Sequence, residues 1–405
     1  MKISKYNVVY ISVIIIPLFF ILRNINIFSN SIYSFIFKEF AYLFVFSFLF
    51  FIDIKNNNYK LKRIYLNINI FIYFLFILVG ILSLILKSNF IQLYSLKYYI
   101  YDFLFYFYIS IMLYKLKLID YFFNYYIKIF ILISFGALFQ LLFINFNIID
   151  ITFFEKFYNI PVYKTRATFF ITNPNLLALL LTICLILLNH LKKHIIFYNI
   201  LIFITILLTG SRLFTLISFI IIFKRFFKYI QIKNYYRYIN IFFLFFPFFI
   251  ILLLNLNISH RLYNSIINYG ADPRFEIWLT IIKNNFNGYE YLIGNGFGNI
   301  GSFLGVENSL NIPVYFQNKL YLNKINYIDN TFLTIFNETG LIGISLFILF
   351  LFLNLIKPFK ISNKYSYTSF YSQLTIILAS FFGDVLFSFP ILFIYLLMIN
   401  YHYYE

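Results

Sequence analysis

Residues 66–86 read LNINIFIYFLFILVGILSLIL, a run of 21 residues without one Asp, Glu, Lys, Arg or His, preceded by Lys60, Lys62 and Arg63 and followed by Lys87. A helix rises about 1.5 Å per residue, so the run is long enough to cross a hydrocarbon core of roughly 30 Å. At that depth only a helix satisfies its own backbone polar groups. Comparable runs recur along the chain, and hydropathy places twelve candidate spans near 7–22, 38–54, 66–86, 98–114, 127–145, 171–189, 195–208, 213–223, 239–256, 330–356, 368–384 and 390–401. The expected fold is therefore all-α, a polytopic integral membrane helix bundle. Transmembrane helices 1 to 9 fall in 1–256, one long outer loop in 257–329, and helices 10 to 12 in 330–405.

Composition agrees with this class. Of the 405 residues 62% are hydrophobic and 11% charged, too few charges to cover a soluble surface. Disordered, collagenous, disulfide-scaffold and nucleic-acid-binding proteins are excluded together. The net charge of +18 is explained by topology: with the N-terminus inside, the cytoplasmic segments hold 19 of the 32 Lys and Arg but only Asp53, Asp120 and Glu405 of the 14 acids. The expected location is the cytoplasmic (inner) membrane, multi-pass, with a cytoplasmic N-terminus. Met1-Lys2-Ile3-Ser4-Lys5 precedes an apolar run with no small-residue cleavage site after it, so this run is expected to stay as the first span. The 60 Phe and 38 Tyr travel with abundant Ile, Asn and Lys, all encoded by AT-rich codons, and are read as genomic bias. Cys184 is the one cysteine, so no disulfide forms.

The loop 257–329 stands apart. It holds 7 of the 13 glycines, the sole Trp, Trp278, and the acids Asp272, Glu276, Glu290, Glu307 and Asp329. A structureless connection of that length is rare unless it folds or works. Asp272-Pro273 reads as an N-cap followed by the first helical position, and Phe275, Trp278, Ile281 and Ile282 recur at helical spacing. Ile293-Gly294-Asn295-Gly296-Phe297-Gly298 reads as a tight turn, with neither the spacing nor the βαβ setting of a nucleotide-binding loop.

Charges at the outer ends of spans are the candidates for chemistry, because an ionisable group at membrane depth is costly. Arg166 precedes Thr172-Asn173-Pro174-Asn175, Arg212 ends the turn Thr209-Gly210-Ser211-Arg212, and Arg274 opens the loop helix. Each alone reads as a lipid anchor; three on one face suggest a phosphate clamp, since guanidinium forks match phosphate oxygens. Asp329-Asn330-Thr331 leads into the tenth span, and Asn337-Glu338-Thr339-Gly340-Leu341-Ile342-Gly343 follows. Asp329 and Glu338 lie 2.5 turns apart and so point to different faces; their bland roles are an N-cap and an interhelical hydrogen bond. His190 and His194 share a helix face but lack a zincin Glu and lie beside Lys192 and Lys193, so no metal site is expected.

In this order the motifs resemble those of the membrane O-antigen polymerase and ligase superfamily, over residues 160–350. The matching pieces are Arg166 with Asn173-Pro174-Asn175, Ser211-Arg212, Arg274 and Trp278 ahead of Gly294-Asn295-Gly296, and Asp329-Asn330 ahead of Glu338-Thr339-Gly340-Leu341-Ile342-Gly343. The resemblance implies a GT-C-like membrane glycosyltransferase working on an undecaprenyl-diphosphate-linked oligosaccharide. It implies neither a cofactor nor a metal, with membrane lipid and a chain-length regulator protein as partners and no nucleic acid. Ligases of the superfamily carry a His where this chain has Asp329, which favours a Wzy-type polymerase of repeat units into O-antigen or capsular-type polysaccharide. The resemblance makes Asp329, Glu338, Arg212 and Arg274 the catalytic candidates and Arg166, Arg212 and Arg274 the diphosphate ligands. Ligation to lipid A core or another acceptor is the alternative within the superfamily, and a lipid-linked oligosaccharide flippase the alternative of another class.

Overall fold

The computed structural model describes residues 68–87, 96–158, 166–169, 171, 173–190, 196–230, 278–279, 281–282, 288–298, 310–316, 319–325, 328–360, 364–388 and 390–401. The expected spans 7–22, 38–54 and 239–256, the helix start at Asp272-Pro273, Arg274 and His194 lie outside the described residues. The chain forms two compact units, one from described residues of 115–230 and the other from those of 68–114 and 278–401.

In the first unit α3 (Ile119–Asn145) is followed by the short α4 (Ile151–Tyr158), then α5 (Pro174–His190), α6 (Ile196–Leu208) and α7 (Arg212–Ile230). Leu177 to Leu188 of α5 are buried all round, so this helix is the unit's centre, packed by α3, α6 and α7. Leucine against leucine gains little over leucine against lipid, so directional contacts fix which helices meet. Tyr126 of α3 donates to the Leu180 carbonyl at 2.9 Å, and the hydroxyls of Thr182 and Ser218 lie 3.3 Å apart. Such bonds contribute on the order of 1 kcal/mol each in a membrane.

In the second unit α1 (Ile68–Lys87) packs along α9 (Thr331–Lys360), and α9, α10 (Lys364–Phe381) and α11 (Ile391–Tyr401) pack in sequence. A π turn, Lys97–Asp102, leads into α2 (Phe103–Lys115). Polar pairs again set the register: Asn69 donates to Asn354 at 2.7 Å, Asn400 to Ser110 at 2.7 Å, and Ser369 to the Met398 carbonyl at 2.6 Å. Tyr73, Phe76, Tyr99, Phe103, Phe297, Phe347 and Phe350 form one aromatic core, with Tyr73 stacked on Phe103 at 3.7 Å between ring centroids. Whatever codon bias supplied these rings, here they carry the packing.

Among the described residues three helices are long and apolar enough to cross a membrane, Asn69–Leu86, Ile119–Asn145 and Thr331–Phe359, and 174–189, 197–208, 212–223 and 391–401 form shorter apolar helices. A helical membrane protein is the class these lengths fit. One hairpin accompanies the helices. Leu310–Phe316 (β1) and Lys319–Ile325 (β2) pair antiparallel, Leu310 opposite Ile325 and Phe316 opposite Lys319. Runs of seven residues are too short for a span but suit a hairpin. α4 and the four-residue α8 (Glu290–Ile293) are also additions to the expected spans, and α10 ends at Phe381, three residues before the expected limit of its span.

Candidate functional site

Two constellations gather the candidate residues, one in each unit. In the first, Asn173-Pro174-Asn175 is a helix start in working order. The Asn173 side-chain oxygen accepts from the backbone N–H of Asn175 at 3.0 Å and of Leu176 at 3.3 Å, and Pro174 occupies the first helical position, where a missing N–H costs nothing. Asn175 in turn accepts from Arg166 Nη2 at 3.1 Å, while Arg166 Nε donates to the Thr209 carbonyl at 2.6 Å. The backbone follows the same path, with Ala167 N–H on the Leu208 carbonyl at 2.8 Å. Arg166 therefore ties the start of α5 to the turn between α6 and α7. Gly210 takes a positive φ of 69° in that turn, a conformation an L side chain adopts at a cost. Arg212 follows as the exposed first residue of α7. The Arg166 guanidinium thus lies between the start of α5 and the carbonyl end of α6, a favourable place for a cation, while Arg212 stands at a helix N-terminus, where acids are the usual residents.

The second constellation is built on a break in α9. Gly340 has φ 64° and ψ −165°, which interrupts the helix about 14 Å from its start at Thr331. The carbonyls of Asn337 and Glu338 accept instead from the N–H groups of Asn295 and Gly296, each at 2.9 Å. The glycine turn thereby lies against the broken helix so closely that a Cβ on Gly294 would collide with the Glu338 backbone, and one on Gly340 with the backbone of 292–294. Non-helical backbone at the level of an apolar span is tolerated only where protein satisfies it, and here it does. Glu338, with 0% exposure, accepts from Gly298 N–H at 2.8 Å and from the Tyr99 hydroxyl at 2.5 Å.

Asp329 is not the N-cap of α9. Asn330 is: its side-chain oxygen accepts from Phe332 N–H at 2.9 Å and Leu333 N–H at 3.1 Å. Asp329 stands one residue outside the cap and is half-buried. Asp384, in the connection after α10, is brought to the same end of α9, for the Thr331 hydroxyl donates to the Gly383 carbonyl at 3.0 Å and Phe332 stacks on Phe381 at 4.2 Å. The Asp384 carboxyl is pushed up to about 7, first by burial, against the lowering effect of the Thr331 hydroxyl and with the charge of Asp329 adding to the rise.

Of the sequence candidates, Arg166 and Arg212 meet at one turn, and Asp329 and Glu338 occur in one unit near the start of α9. Sequence reasoning missed Asp384 and Tyr99. Asp384 carried a readable signal, an acid between apolar runs in Phe382-Gly383-Asp384-Val385-Leu386; Tyr99 carried none among 38 tyrosines. Among the described residues no group of three His, Cys, Asp or Glu could hold a metal ion. No family model, curated protein or solved structure matches the chain.

Proposed function

We propose that this protein polymerises undecaprenyl-diphosphate-linked oligosaccharide repeat units at the outer face of the cytoplasmic membrane, with its N-terminus in the cytoplasm. The observation that carries the reading is the placement of Arg166 and Arg212 at one turn, between α6 and α7, with Arg212 exposed at the N-terminus of α7, an arrangement suited to a polyanionic ligand. The pairing of motifs supports it. Asn173-Pro174-Asn175 is tied to Thr209, two residues before Ser211-Arg212, and Gly294-Asn295-Gly296 meets Glu338-Thr339-Gly340.

In this reading Arg212, with Arg274 of the loop, holds the donor diphosphate and stabilises the charge that develops as undecaprenyl diphosphate leaves. A hydroxyl of the next lipid-linked unit attacks the anomeric carbon with inversion. Asp329, at the outer end of α9, accepts the hydroxyl proton, while Asp384 keeps its own proton up to about neutral pH. The test is a deletion strain: loss of a polymerase collapses surface glycan from a ladder to a single transferred repeat unit, whereas loss of a ligase leaves long polymer on the lipid carrier.

One observation favours a transporter as second reading, because membrane transporters use broken helices near mid-membrane and α9 is broken at Gly340. Against it, the freed carbonyls are already taken by the glycine turn. Lipid-linked units that cross a reconstituted bilayer without lengthening would select that reading.

A further inference from the structure

Two segments donate to the Glu338 side chain, and a third braces one of the donors. α9 supplies the carboxyl group, the turn supplies Gly298 N–H at 2.8 Å, and the π turn supplies the Tyr99 hydroxyl at 2.5 Å. α1 holds Tyr99 in turn, for the Tyr73 hydroxyl donates to the Tyr99 carbonyl at 2.7 Å. The Tyr99 ring stacks on Phe297 of the turn at 4.2 Å, and Phe297 fills the space over Gly80 of α1 that a Cβ would occupy. Each carboxyl oxygen thus has a donor, and each donor belongs to a different segment. A π turn places a backbone carbonyl and a side chain where a regular helix would not, and here it delivers both the Tyr99 hydroxyl to Glu338 and the Tyr99 carbonyl to Tyr73.

We propose that Glu338 is a positioning residue, the latch that holds the glycine turn 294–298 in the break of α9, and not the group that takes the acceptor proton. The second half of this statement rests on the polymerase reading; the first half does not. A latch needs an acceptor for Gly298 and a partner for Tyr99, and a carboxamide provides both, its oxygen accepting from Gly298 N–H and its NH2 donating to the Tyr99 hydroxyl oxygen. A base needs the carboxylate itself. Glu338→Gln therefore separates the two roles.

The experiment uses the full chain in membranes, with Cys184→Ala and Asn295→Cys, and follows both maleimide labelling of the new thiol and the glycan ladder. Labelling should stay slow in Glu338→Gln and rise about tenfold or more in Glu338→Ala, as expected when hydrogen bonds that close a local opening are removed. Tyr99→Phe should fall between them, and it serves in place of Glu338→Ala should that variant not accumulate. Glu338→Gln should keep the ladder and Glu338→Ala lose it. Unchanged labelling in both Glu338→Ala and Tyr99→Phe would overturn the latch, and a lost ladder with slow labelling in Glu338→Gln would make the carboxylate a chemical participant. If the unmodified chain produces no ladder at all, the polymerase reading fails while the labelling rates still decide the latch.

Discussion

The two constellations are held by opposite means. Around Arg212 a long side chain does the holding: Arg166 bridges Asn175 and the Thr209 carbonyl, and Gly210 has room beside it, its nearest neighbour to a Cβ being Arg166 Nε at 3.4 Å. Around Glu338 backbone lies on backbone, and Gly294 and Gly340 have no room for a methyl group. A guanidinium can adjust by a rotamer, whereas two interlocked main chains cannot. The first region should therefore yield gradually to substitution and the second abruptly.

The largest effect is expected at the interlocked backbones. Gly294→Ala or Gly340→Ala combines a positive φ with a collision against main chain, a loss of about 3 kcal/mol or more. Either variant should fail to accumulate or lose its thermal transition in detergent, while Gly288→Ala, with a positive φ and no neighbour within 4 Å, should cost only about 1 kcal/mol. Equal behaviour of Gly288 and Gly340 variants would remove the distinction between the two regions.

Next comes the arginine bridge. A lysine cannot reach Asn175 and the Thr209 carbonyl together, so Arg166→Lys should lower thermal stability by roughly 1–2 kcal/mol and impair polymer formation through the displaced turn. Arg212→Lys should leave the thermal transition unchanged and still abolish most polymer, since Arg212 is exposed and its proposed work is on the diphosphate. If both variants fall in stability together, the division of labour between the two arginines is wrong.

A smaller effect should follow pH. Burial raises the folded-state Asp384 carboxyl above its unfolded value, so the fold favours the neutral form; its contribution is complete below about pH 4 and is lost as pH rises through about 7. With the residue half-buried this amounts to on the order of 2 kcal/mol. Thermal unfolding between pH 4 and 8 should show the decline in the unmodified chain and a flatter profile in Asp384→Asn. The smallest change is expected at the caps: Asn330→Ala and Asn173→Ala should each cost about 1 kcal/mol, and Asp329→Ala much less, because Asn330 and not Asp329 receives the first N–H groups of α9.

How much of this was legible depended on the distance over which each signal acts. Residues 66–86, 127–145 and 330–356 announced their helices because apolar length is a local property. Asn173-Pro174 announced a helix start for the same reason. The cap of α9 is not legible, since Asp329 and Asn330 are both good caps and composition does not choose between neighbours; the structure gives the role to Asn330. The glycine turn was recognised as a turn but not as the partner of Gly340, because that contact joins positions more than forty residues apart. Tyr99 was invisible for the same reason, and the 310–325 hairpin was masked by the uniformly aromatic and Asn-rich composition around it.

The central claim is that the chain lengthens lipid-linked glycan, and it is tested most directly by reconstituting the purified protein with undecaprenyl-diphosphate-linked repeat units and resolving the products by length. The account predicts a ladder of lipid-linked oligomers, one undecaprenyl diphosphate released per linkage formed, and loss of both in Arg212→Lys. Repeat units that remain single, or undecaprenyl diphosphate released without any longer product, would contradict it.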